Sequence, residues 1–323
     1  MGLALRFHLV FPGELRRGVA ALLFCAVWVA AGLLFTSTAQ AQFYTWGGTG
    51  STTATADYNV GTNWSNPPAG APPVTNGQGA IFDATGSATI NVTSTITPYS
   101  WTFNANSQSY SVSGSDVNFG SAAWGIFNNA NSGQTISISN NIGETAPVAQ
   151  VKQLGASTLI LSGNNTYSGG TVISAGTLQV TNNNSVGTGA ITLDGGTFQA
   201  DGVSNLTFTN GVTITPTGGT VDNNGTVLTL SGVVANDGGF TATGMLRLTD
   251  SSGGAGTTVL AGVNTYSGGT LVSGATLQVT NNSSVGTGAV TLDNALFQAD
   301  GVSDLTFTNN VKINNTADRK SVV

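Results

Sequence analysis

The sequence predicts an all-β fold: a parallel β-helix (β-solenoid) with an aromatic-rich N-terminal cap region, preceded by a signal peptide. Three observations carry this expectation. Residues 165–214 align without a gap on residues 264–313, with 38 of the 50 positions identical. Between recurrent Gly and Asn residues lie short segments that alternate apolar and polar, as in Thr177-Leu178-Gln179-Val180-Thr181. Only 7% of the residues are charged, while Gly alone contributes 45. Alternation at period two places Leu178 and Val180 on one face and Thr and Gln on the other.

At the start, Arg6, Arg16 and Arg17 precede the uncharged run Val19–Phe35, and Ala39-Gln40-Ala41 forms an A-x-A site. Residues 1–41 are therefore expected to be a signal peptide cleaved after Ala41. Cleavage removes Cys25, His8 and Trp28, leaving five bases, 13 acids and a net charge of −8. A mature chain without Cys or His has no disulfide and no His/Cys zinc site, and it lacks a Cys nucleophile and a Ser-His-Asp triad. With so few bases it presents no face for nucleic acid.

Residues 42–149 hold Trp46, Trp64, Trp101 and Trp124, with Asn66-Pro67-Pro68 and Ala71-Pro72-Pro73 forming a turn-rich loop. The first coil of a solenoid needs cover, and large aromatics supply it. Stacking of Trp64 or Trp101 on sugar rings is the weaker reading, because aromatics are more often buried. Regular repeats follow over 150–316. Gly-Gly pairs at Gly169, Gly195, Gly218, Gly238, Gly253 and Gly268 have spacings of 26, 23, 20, 15 and 15. A period near 20 residues suits one coil of a solenoid, although a sandwich or propeller also uses short strands. At about 4.8 Å per coil, residues 151–323 make a rod about 35–40 Å long.

Leu159-Ile160-Leu161-Ser162-Gly163-Asn164-Asn165-Thr166-Tyr167-Ser168-Gly169-Gly170-Thr171 resembles the autotransporter-associated β-strand repeat, also called the passenger-associated transport repeat. Val259–Thr270 is a second copy, in which Gly274-Ala275 reverses Ala175-Gly176. Trp46, Asn63-Trp64 and Gly79–Asp83 also look like the start of such passengers. The resemblance implies an exported passenger with a structural or adhesive role at the cell surface or outside the cell. Its partners would be export machinery and host or environmental glycans or proteins. It also implies an outer-membrane β-barrel, and no such run of strands is read after residue 300. The alignment fails where Gly218–Asp222 should correspond to Ala317-Asp318-Arg319-Lys320-Ser321, so residues 317–323 are an off-pattern tail. A truncated or frame-disrupted gene product is the expectation.

The alternative is a secreted glycan-binding or polysaccharide-processing β-helix. Asp194 and Asp201 recur as Asp293 and Asp300, with Asp304 at the place of Asn205. Paired carboxylates cleave glycosides, but acids recurring in both copies point to turns, and no His base accompanies them. Ser168-Gly169-Gly170 lacks the G-x-S-x-G context of a nucleophile turn. Gly253-Gly254-Ala255-Gly256 lacks the Asp of a calcium nonapeptide, and Asp222-Asn223-Asn224-Gly225 lacks a terminal Glu. Tyr167 and Tyr266 are expected to pack within the scaffold. No catalytic, cofactor-binding or metal-binding residue is assigned, no cofactor is called for, and the protein is not expected to be an enzyme.

Overall fold

Alternating short segments cannot bury an apolar face alone, so each must stack on its neighbour in the next coil. In the computed structural model they do. The structure describes residues 41–47, 54–65, 72–120, 124–146, 148–238, 243–254, 256–301 and 304–314. The leader expected over 1–41, most of the Asn66–Pro73 loop and the 317–323 tail fall outside these residues, apart from Ala41, Pro72 and Pro73. Among the described residues the regular secondary structure is β-strand, apart from one 3₁₀ turn at Gly61–Asn63.

Strand pairing decides the architecture. Among the described residues every strand pair is parallel except Gln42–Trp46 with Trp64–Ser65. The strands form a 10-stranded sheet, a 12-stranded sheet and sheets of two and five strands. Successive strands alternate among these sheets, so the chain coils through about ten turns of a β-solenoid. We call the 10-stranded sheet face one, the 12-stranded sheet face two, and the column containing the two smaller sheets face three. Between those smaller sheets, face three continues without regular strands. Thr166 N–H donates to the Ile142 carbonyl, Thr188 N–H to the Tyr167 carbonyl, and Thr207 N–H to the Asn183 side chain.

The inward residues form ladders. On face two Ile136, Leu159, Leu178, Phe198, Val221, Leu248, Val272 and Leu292 stack in register, and all are buried. Each such side chain contributes about 1.5–3 kcal/mol by leaving water. Outward on the same strands, Thr135, Thr158, Thr177, Thr197 and Thr220 form a second ladder. The β-branched Thr favours the pleated conformation while its hydroxyl stays at the surface. From Thr158–Leu161 to Val311–Ile313, face two contains eight strands. Seven gaps of about 4.8 Å give about 34 Å, close to the rod length expected.

The Gly-Gly rhythm, however, does not mark coils. Register advances from Thr158 to Thr177, Thr197, Thr220 and Arg247, a more even step than the glycine spacings. The reason lies in the long repeat. In the first copy Thr171–Ile173 lies on face one and Thr177–Val180 on face two. Their equivalents, Thr270–Ser273 and Thr276–Val279, lie on face two and face three. Ninety-nine residues therefore span four coils plus one face, and the second copy is turned by one face. Gly169-Gly170 and Gly268-Gly269 thus enter different faces. The Ala175-Gly176 reversal also sits at different corners: the left-handed residue is Gly176 (φ 57°) in one and Gly274 (φ 63°) in the other.

Candidate functional site

In a protein built from ladders, the chemistry lies in what locks the coils and in what the faces present. The lock is the first Asn of each NTYSGGT segment. Asn165 is buried between coils. Its Oδ1 accepts Ile142 N–H at 2.8 Å from one neighbouring coil, and its Nδ2 donates to the Ser185 carbonyl at 2.6 Å on the other. Asn264 repeats this, accepting Val234 N–H at 2.7 Å and donating to the Ser284 carbonyl at 2.6 Å. One side chain thus staples three coils from a stretch that is not itself a regular strand. Asn182 and Asn281 donate to the Ser162 and Ala261 carbonyls, and Asn210 and Asn309 to the Gly189 and Gly288 carbonyls. Backbone groups that would otherwise be buried and unpaired are satisfied in this way.

Tyr167 and Tyr266 fill the corner beside the staple, as expected of scaffold residues. Both are buried, and their hydroxyls pair with Thr171 and Thr270 at 2.7 and 2.6 Å. Burial pushes both phenols well above the ordinary tyrosine value, against a smaller lowering by these hydroxyls.

The carboxylates serve turns. Burial alone would raise Asp194, but hydroxyls of Thr217, Thr215 and Ser174 outweigh it and hold the group below the usual range. Asp201 accepts Val203 and Ser204 N–H in its own turn. Asp222 is buried and accepts Gln199, Asn224 and Ser251. Asp293 is exposed and Asp300 partly exposed, at the ends of the strands Val290–Asp293 and Leu296–Ala299. Because the repeat is turned by one face, Asp194 and Asp293 stand at different corners and do not form one carboxylate column. Ser168 donates to Glu144 and accepts Val148 N–H.

Asp250 escaped the sequence reading. Its carboxylate accepts Ser252 N–H and hydroxyl, Gly254 N–H and Gly256 N–H. These donors outweigh its burial and lower its pKa. The Gly-rich loop therefore wraps its own upstream acid, and Asp250 lines an open cleft of about 600 Å³ with Thr276 and Asn294. The signal was an Asp immediately preceding Ser-Ser-Gly-Gly.

The aromatics divide into two sets. Trp46, Trp64 and Trp101 are buried with Tyr58, Phe82 and Phe103. The Trp101 and Trp64 indoles donate to the Tyr58 hydroxyl and carbonyl, and the Tyr58 hydroxyl donates to Pro73. This burial overturns any sugar-stacking role for Trp64 or Trp101. Trp124 is the exception among the four, 38% exposed on the outer side. It lies 4.8 Å from Tyr99 and 5.4 Å from Phe127, measured between ring centroids, and Tyr99 lies 6.3 Å from Phe43.

Fold and staples define a repeat-built parallel β-solenoid. Residues 152–180 and 253–279 match the family model of the passenger-associated-transport-repeat, and the chain carries two such repeats. Over 143 residues, 43% of this chain, it is 34% identical to "Adhesin BmaC autotransporter" of Brucella suis biovar 1 (strain 1330). The aligned region covers 4% of that relative's length. No solved structure matches it significantly.

Proposed function

We propose that the chain is a segment of an exported, surface-displayed passenger whose role is structural and adhesive rather than catalytic. The observation that carries this reading is a rod with a threonine ladder on the outer side of face two, locked by the same asparagine staple in both repeats. The similarity to an autotransporter adhesin supports it. Residues 1–41 direct export and are removed, and the aromatic first coils cover the N-terminal end of the rod. A stiff rod adheres through many weak contacts that add by avidity. Carboxylates consumed in turn capping support a role without catalysis.

The test is surface display followed by adhesion. Cells expressing the chain in its natural context should lose it to external protease and bind glycan- or protein-coated surfaces above a deletion strain. A chain retained inside the cell, or one that confers no adhesion, would refute the reading. Release of reducing ends from polyuronates that depends on Asp201 would favour the polysaccharide-processing alternative.

A further inference from the structure

On the outer side of face one the first coils break the polar pattern. Phe43, Tyr99, Trp124 and Phe127 form a chain of ring contacts on or beside strands that also carry Thr45, Ile81 and Thr102 on this side. Phe43 and Trp124 are each 38% exposed, and Tyr99 and Phe127 are partly exposed. The run ends on Lys152, whose Nζ stands 5.5 Å from the centroid of the Phe127 ring. Lys152 is the one base between Gln42 and Leu246. Among the described residues no carboxylate pairs with it. A line of exposed rings costs free energy in water unless something covers it.

We propose that this strip is a binding platform for an acidic oligosaccharide, a pyranose chain bearing carboxylates. Ring faces pack against the C–H faces of successive sugars, and the Lys152 ammonium receives a carboxylate. Two features select this occupant. The rings climb from the strand Gln42–Trp46 to the strand Ile126–Asn128, and Lys152 on the next strand, Val151–Gln153, extends the platform to five adjacent strands of face one. At about 4.8 Å per strand the platform is about 19 Å long, which suits a short linear chain better than a single ring. The isolated cation at its end supplies charge complementarity in a chain with an excess of acids. An aromatic face and a cation side by side match a ligand that is apolar on one side and anionic at its edge. This proposal deepens the adhesive reading by naming a ligand class.

The test uses the full chain, with trigalacturonic acid as probe and cellotriose as its uncharged counterpart. Titration should change the tryptophan fluorescence with trigalacturonic acid and bind it in preference to cellotriose. Trp124→Ala should weaken binding about tenfold, the equivalent of about 1.4 kcal/mol for one lost stacking partner. Trp124→Tyr, which keeps a ring face, should retain most of the affinity. Lys152→Gln should abolish the preference for the acidic sugar while leaving cellotriose binding unchanged. Trigalacturonic acid that leaves the fluorescence unchanged, or affinity unaltered in Trp124→Ala and Phe43→Ser, would overturn the proposal. Surface adhesion that survives Trp124→Ala would overturn the platform alone, whereas a wild-type chain that adheres to nothing would overturn the adhesive reading.

Discussion

Replacing Asn165 by Ala removes the staple between three coils. Two buried backbone groups, Ile142 N–H and the Ser185 carbonyl, then lose the partner that Asn165 supplies. Each orphaned group costs about 1–3 kcal/mol, so the substitution should destabilise the protein by about 2–6 kcal/mol. The neighbouring backbone bonds, Thr166 N–H to the Ile142 carbonyl and Asn165 N–H to the Asn184 carbonyl, use other groups and leave these two unpaired. Urea unfolding followed by circular dichroism should show a lower midpoint. Asn164→Ala, one residue earlier and exposed, is the control and should stay within about 0.5 kcal/mol of wild type. Asn264→Ala should behave like Asn165→Ala, because it holds Val234 and Ser284 in the same way. Equal midpoints for Asn165→Ala and the control would refute the staple.

Gly163→Ala would place a Cβ 2.0 Å from the Asn140 carbonyl oxygen, an overlap with backbone that cannot rotate away, so it should cost about 1–3 kcal/mol in the same unfolding assay. Alkali should destabilise the fold. Burial raises Tyr58, Tyr110 (pushed up to about 12), Tyr167 and Tyr266, so their contribution is complete below the unfolded tyrosine value and is lost as pH rises through the folded ones. Thermal midpoints should therefore begin to fall near pH about 10, with phenolate absorbance appearing only as the protein unfolds. At the acid end, Asp194 and Asp250 are held below their ordinary value, so their contribution is present above an unfolded pKa of about 3.9 and is lost as pH falls through the folded values. Midpoints of Asp250→Asn should be less sensitive to pH below about 4 than those of the wild type.

Much of the fold was legible because period-two alternation and burial are the same fact at two scales. Leu178 and Val180 alternate with Thr and Gln in sequence, and they are buried in register in space. Tyr167 and Tyr266 likewise behave as their repeated positions implied. The one-face turn of the second copy was hidden because glycines mark corners, and a corner's identity depends on how many faces the chain has already traversed. Gly169 and Gly268 look alike in sequence yet lead to different sheets. The staple was hidden for another reason. Asn165 sits among turn-forming residues, and nothing local distinguishes an Asn that tolerates a turn from one whose side chain reaches both neighbouring coils. Trp124 reads like Trp46 or Trp101 by composition, and only its position relative to the strand Ile126–Asn128 turns it outward.

The central claim is the parallel stack with its second repeat turned by one face, and engineered disulfides test it directly. Arg247 and Leu271 are outward register partners on adjacent parallel strands of face two. Adjacent strands place their Cα atoms about 4.8 Å apart, inside the disulfide range of about 4.4–6.8 Å. Had the second copy kept the face of the first, Leu271 would follow Val172 onto face one and stack on Ala235. In a Cys25→Ser background, Arg247→Cys with Leu271→Cys should oxidise to a disulfide in the folded protein, and Ala235→Cys with Leu271→Cys should not. A disulfide in the second pair and none in the first would contradict the account.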